Sequence, residues 1–109
     1  ILGNVGSLKD TINGDYKKGD IFVYEPSNAE KDDLIIVSAS IYSWGSSASI
    51  NTTDVEKIGE ITKSNTGTWS TTIITGIYKA TSNTPKVNIT MNDGSDEVSY
   101  FQYNCMLLR

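Results

Sequence analysis

Catalysis in a protein chain starts from side chains that carry a nucleophile, a titrating group or a metal ligand, and this sequence is short of all three. It contains no histidine and a single cysteine, Cys105. Without an imidazole there is no Ser-His-Asp or Cys-His arrangement, and the side chain that titrates near neutral pH is missing. Cys105 lies in the apolar stretch Tyr103-Asn104-Cys105-Met106-Leu107-Leu108, where a thiol serves as a small core residue rather than a nucleophile. Being alone, it makes no internal disulfide, and with no histidine beside it there is no zinc ligand set. The redox compartment stays open.

Carboxylates are the remaining candidates. Asp32-Asp33, Asp54-Glu56 and Asp93-Asp96-Glu97 offer the acid pairs that glycoside hydrolysis uses. All three lie in turn-like stretches, where acidic residues are ordinarily solvated. The run Asp93-Gly94-Ser95-Asp96-Glu97 has oxygen ligands for calcium but not the spacing of a calcium loop, so it reads as a hairpin turn. The sequence therefore predicts no catalytic residue, no metal and no cofactor: a chain that is not an enzyme.

Its net charge of -4, from 13 acidic and 9 basic residues with Arg109 the only arginine, repels phosphate backbones and argues against nucleic acid as a partner. What remains is binding. Trp44 in Ser43-Trp44-Gly45-Ser46 and Trp69 in Gly67-Thr68-Trp69-Ser70 stand among small polar neighbours, where an aromatic face can stack on a sugar ring or anchor a partner. The alternative is that each Trp plugs an end of the fold, and it applies more to Trp69. Trp44 is followed by Gly45 and serines, which are too small to cover it. Trp44, Tyr42 and Trp69 are the ligand-binding candidates.

The elements that must position these residues are strands. A chain of 109 residues, 38% hydrophobic and 20% charged, makes one domain with a real core. No stretch approaches the roughly 20 apolar residues of a membrane helix, so no membrane insertion is expected. The longest clean apolar run, Leu34-Ile35-Ile36-Val37, is strand-sized. The chain starts at Ile1 rather than Met and lacks a signal-peptide layout, which reads as a piece of something longer. Two formal glycosylation sequons, Asn51-Thr52-Thr53 and Asn88-Ile89-Thr90, arise readily by chance in a chain this rich in Asn, Ser and Thr.

Punctuation at Asn13-Gly14-Asp15, Lys18-Gly19-Asp20, Pro26-Ser27-Asn28, Ser64-Asn65-Thr66-Gly67, Ser82-Asn83-Thr84-Pro85 and Asn92-Asp93-Gly94-Ser95 marks turns. Between them, runs rich in Ile, Val, Thr and aromatics predict strands near 20–25, 34–43, 47–52, 57–63, 68–79, 86–91 and 97–108. Residues 53–59 offer one turn of helix, with Thr53 as cap and Glu56 three residues on. Ahead of the domain, Ile1, Val5, Leu8 and Ile12 follow coiled-coil spacing, interrupted by Gly3 and Gly6. Residues 1–15 are thus a stalk remnant or linker, with a strand or loose arm as the alternative, and residues 16–109 are the head. Short strands with turns every 8–12 residues or so point to an all-β, antiparallel sandwich of jelly-roll type.

Sidedness separates the strands. In Lys86–Asn92, Val87, Ile89 and Met91 alternate with polar residues, one face in the core and one in water. In Ile36–Trp44, Val37, Ala39 and Ile41 form the core face, while Ser38, Ser40, Tyr42 and Trp44 lie opposite. The last strand differs. Phe101, Tyr103, Cys105 and Leu107 lie on one face and Tyr100, Gln102, Asn104, Met106 and Leu108 on the other, both with substantial apolar surface. A two-layer domain has one core, so the second face needs a cover from outside. Sister subunits are the simplest, with Gln102 and Asn104 meeting their own copies across an axis.

A long apolar last strand, the Gly-x-Tyr strand Thr75-Gly76-Ile77-Tyr78-Lys79-Ala80 and the Val87-x-Ile89-x-Met91 strand resemble the tumour-necrosis-factor-like trimeric jelly roll over residues 20–109. The sequence departs from that pattern at Gln102, where the family usually has a glycine after the aromatic. The resemblance implies a homotrimer with the C-terminal strand at its centre. A similar shape heads phage tail fibres and related receptor-binding appendages, usually below a fibrous stalk, which implies a virion or extracellular location. Three functions compete: a trimeric head that binds a host-surface glycan or protein, a structural cap that registers a fibre, and a monomeric carbohydrate-binding module of a secreted enzyme. The first two share the double-faced last strand, which the third leaves unexplained.

Overall fold

Alternating hydrophobicity and closely spaced turns leave this chain little to form but antiparallel strands, and its computed structural model consists of them. The structure describes residues 2–16, 19–44, 47–65, 67–92 and 95–109, with 7–16, 44 and 95–99 by backbone alone. These residues form eight strands and no helix: β1 (Gly3–Tyr16), β2 (Gly19–Tyr24), β3 (Leu34–Trp44), β4 (Ala48–Thr53), β5 (Val55–Ser64), β6 (Trp69–Ala80), β7 (Lys86–Met91) and β8 (Ser95–Leu108). They lie in two antiparallel sheets, ordered β1-β8-β3-β6-β5 and β2-β7-β4. β1 pairs with β8, β2 with β7 and β3 with β6, a nested pairing that stops short of β4 and β5, which lie in different sheets. β5 pairs with β6 and closes the edge of the larger sheet. The result is the expected antiparallel β-sandwich.

The core lies between the two sheets. Ile35, Val37, Ala39 and Ile41 of β3 are buried there with Ile74 and Tyr78 of β6, Phe101, Cys105 and Leu107 of β8, and Val87, Ile89 and Met91 of β7. Phe22 of β2 packs against both halves of this core and lies with its ring centroid 4.1 Å from that of Tyr103. The buried members of β3, β7 and β8 are those the alternation assigns to the core faces.

The Gly-x-Tyr pair of β6 has a packing cause. Tyr78 is fully buried and lies back over Gly76, where a Cβ would collide with its ring. From there the phenol donates to Glu60 Oε2 on β5 at 2.6 Å.

Three expectations change. Residues 3–16 form strand β1, paired with β8 from Gly3↔Leu107 to Tyr16↔Ser95, so the strand alternative holds there rather than a helical seam. Gly3 and Gly6 weaken a helix, while β8 offers a row of backbone groups that need partners. Asn13-Gly14-Asp15 is no chain reversal. β1 runs through it with a register shift between Asn13 and Tyr16, a bulge of the kind glycine permits. The helical turn at 53–59 is absent: β4 passes into β5 at Asp54, whose φ of 54° is the left-handed conformation an aspartate tolerates. The Asp54 carboxylate accepts from Ser82 Oγ at 3.1 Å and Thr84 Oγ1 at 2.8 Å, and its carbonyl accepts from the Thr81 N–H, which ties this corner to the β6–β7 loop. Of the turn expected at Asn92-Asp93-Gly94-Ser95, Asp93 and Gly94 lie outside the described residues, as does Lys18 of Lys18-Gly19-Asp20, whose Gly19 and Asp20 begin β2.

Candidate binding face on the five-stranded sheet

Register decides which side chains of the large sheet meet. β3 and β8 place Tyr42 opposite Tyr100, Ser40 opposite Gln102, Ser38 opposite Asn104, Ile36 opposite Met106 and Leu34 opposite Leu108. β6 adds Thr71, Ile73, Thr75 and Ile77 to the same rows. Because the intervening residues point into the core, all these side chains lie on the outer face, which no other layer of the described chain covers. Ile61 (60% exposed), Ile73 (53%) and Ile77 (39%) stand on it among Tyr42 (40%) and Tyr100 (36%).

The face divides along the strands into three zones. At one end Tyr42 stacks on Trp69, ring centroids 5.1 Å apart and planes 16° apart, beside Tyr100. In the middle is a shallow depression of about 760 Å³ whose lining includes Asn4, Gly6, Ser38, Ser40, Gln102 and Asn104, none of them charged. Asn104 Nδ2 donates to Asn4 Oδ1 of the same chain at 3.0 Å. At the other end Leu34, Ile36, Met106 and Leu108 are half-buried and Ile77 exposed.

The apolar end closes on the last residue. Arg109 donates from Nε to Asp33 Oδ1 and from Nη2 to Asp33 Oδ2, both at 2.9 Å, and from Nη2 to the Asn28 carbonyl at 3.3 Å. The Glu30 N–H completes the shell of Asp33 Oδ2 at 2.8 Å. Arg109's hydrogen bonds hold the buried Asp33 carboxyl below its usual range against the opposing effect of burial.

The predicted binding residues come together in part. Tyr42 and Trp69 form one stacked pair on the outer face, where Trp69 is half-buried. Trp44 ends β3 with its backbone opposite Trp69, and its side chain lies outside the described residues. Tyr100, Gln102, Asn104, Met106 and Leu108 share the face with Tyr42 and Trp69, spread over its three zones.

Sequence reasoning missed Asn4, Gly6, Ser38 and Ser40 as one surface, since they come from strands far apart in sequence. It also missed Ile61, Ile73 and Ile77. A signal existed in Thr72-Ile73-Ile74-Thr75-Gly76-Ile77-Tyr78, which is apolar on both faces just as the last strand is.

Several of the groups first considered for catalysis have other roles or fall outside the described residues. Burial pushes the Cys105 thiol up to about 12, so it stays protonated and inert at neutral pH. Asp33 belongs to Arg109 and Asp54 to the β6–β7 loop. Asp93 is outside the described residues, and Asp96 and Glu97 are described by backbone alone. No group of three or more potential metal-ligating side chains converges among the described residues. Comparison with family models, with curated proteins and with solved structures finds no match to this chain.

Proposed function

We propose that this chain is a non-enzymatic binding head that assembles as a homotrimer and recognises a host-surface glycan or protein, as at the tip of a phage fibre or a comparable surface appendage. One observation carries the reading: the outer face of the five-stranded sheet exposes Ile77 in the row of Ile36 and Met106, with Ile61 and Ile73 beside its middle rows, and the described chain supplies no layer over it. Contiguous apolar surface of this kind marks an interaction site on a soluble domain. In this reading Met106 and Leu108 anchor the subunit contact at the apolar end. Tyr42 and Trp69 at the other end stay open for the ligand, joined there by Tyr100, which the sequence places at the subunit contact.

A monomeric carbohydrate-binding module is the second reading. The Tyr42–Trp69 stack and the uncharged depression favour it. A structural fibre cap shares the assembly but needs no ligand.

Mass measurement in solution separates them. A species three times the chain mass at micromolar concentration is expected, and Met106→Lys with Leu108→Lys dissociates it. A wild-type protein that stays monomeric at that concentration removes both trimeric readings.

A further inference from the structure

We propose that the depression in the middle of the outer face is a subsite for an uncharged oligosaccharide, with one ring of the ligand against the Tyr42–Tyr100–Trp69 end. This deepens the binding-head reading and rests on it in requiring that end of the face to stay open in the assembly.

Shape comes first. The lining combines residues without bulk, Gly6 on β1 and Ser38, Ala39 and Ser40 on β3, with Tyr103 of β8 and the exposed Ile73 of β6. Gly6 has no room for a side chain, since a Cβ would lie 2.8 Å from Asn104 Nδ2 and 3.0 Å from the Tyr103 carbonyl oxygen. The volume of about 760 Å³ falls within the range of small-ligand sites.

The chemistry of the lining is specific. Carboxamides of Asn4, Gln102 and Asn104 and hydroxyls of Ser38 and Ser40 each combine a donor with an acceptor, as sugar hydroxyls do. The bond between Asn104 Nδ2 and Asn4 Oδ1 fixes two of these amides while using one of the four hydrogen-bonding positions of each. No described lining residue is charged, so a carboxylate, sulfate or phosphate on the ligand would lose hydration without gaining an ion pair. That selects a neutral chain over an acidic glycan or a nucleic acid.

The aromatic end supplies the remaining component. Tyr42 and Tyr100 lie one same-face step from Ser40 and Gln102, about 7 Å along the strands. A pyranose has an apolar C–H face and a polar rim. Rings held flat by stacking, as Tyr42 is on Trp69, accept the first while neighbouring amides accept the second.

The test titrates the intact protein with neutral hexasaccharides of cellulose, amylose, mannan and xylan type, and with a hexauronate, following tryptophan fluorescence and calorimetry. Saturable binding of at least one neutral hexasaccharide is expected, little changed at about 0.5 M NaCl. Gln102→Ala, Tyr42→Ala and the space-filling Ser40→Leu should each weaken it about tenfold or more. Val23→Ala, on the exposed surface of the smaller sheet, should leave it unchanged. The subsite is overturned if no neutral probe saturates, if only the uronate binds, or if binding survives all three face variants. Oligomeric mass is read on the same samples. Lost saccharide binding with an intact trimer then sinks the subsite alone, and a monomer that binds saccharide through these residues sinks the trimer alone.

Discussion

Arg109 grips Asp33 with both arms of its guanidinium fork, Nε to Oδ1 and Nη2 to Oδ2 at 2.9 Å each, and so fastens the last residue of the chain to a carboxylate that is 2% exposed at the entry to β3. Such planar, charge-assisted pairs are geometrically exacting, and removing one partner leaves the other charge buried without compensation.

Arg109→Gln is therefore expected to lower Tm at pH 7 by about 5 °C or more. The pH dependence has a definite sign. Asp33 has its carboxyl pKa lowered in the folded state, first by its hydrogen bonds to Arg109, so its contribution is present above the unfolded carboxylate pKa of about 3.9 and is lost as pH falls through the folded value. Thermal melts of wild type and variant from pH 2 to pH 8 should show a steady gap above about pH 5 that narrows below about pH 4. A gap unchanged down to the lowest pH would mean that Arg109 acts through some other contact.

Gly76 and Tyr78 form a second coupled pair. Gly76→Ala drives a methyl into the Tyr78 ring and should cost about 1–3 kcal/mol in urea denaturation. Tyr78→Phe keeps the ring, loses the bond to Glu60, and should cost about 1 kcal/mol. In a Tyr78→Leu background, where the collision is gone, the penalty of Gly76→Ala should shrink. Additive penalties would disprove the contact.

At Asp54 the backbone and the carboxylate are separable. Asp54→Gly keeps the left-handed turn and loses the acceptor for Ser82 and Thr84, whereas Asp54→Ala loses both. The alanine variant should be less stable than the glycine variant by about 1 kcal/mol, with Asp54→Asn closest to wild type. Chemical denaturation midpoints measure the order, and equal midpoints for Ala and Gly would dismiss the conformational constraint.

Cys105 should be silent toward a thiol reagent at pH 8. With its pKa pushed up to about 12, only about one thiol in ten thousand is ionised there, and the side chain is fully buried. Modification should proceed at the rate of unfolding and become immediate in denaturant. Fast reaction of the native protein would place Cys105 at the surface.

Much of the fold was legible locally. Val87, Ile89 and Met91 announce the core face of β7, and Val37, Ala39 and Ile41 that of β3, because a strand's two faces are written at a spacing of two residues. Strand limits followed the turn residues to within a few positions, from Leu34–Trp44 to Lys86–Met91. Asn13-Gly14 misled because the same dipeptide that reverses a hairpin also serves a bulge, and only the presence of β8 alongside decides which.

The sequence by itself determined that the chain is strands and tight turns, which residues of β3, β7 and β8 face the core, and that the last strand is apolar on both sides. Those properties reside in the order of neighbouring residues. Tertiary structure alone decided that β1 lies on β8, that Tyr42 meets Tyr100 and stacks on Trp69, that Gly6, Ser38 and Asn104 line one depression, and that Asp33 waits for Arg109. These pairings join residues up to about a hundred positions apart, and they follow from which edges and faces of the strands are left to be satisfied by distant parts of the chain.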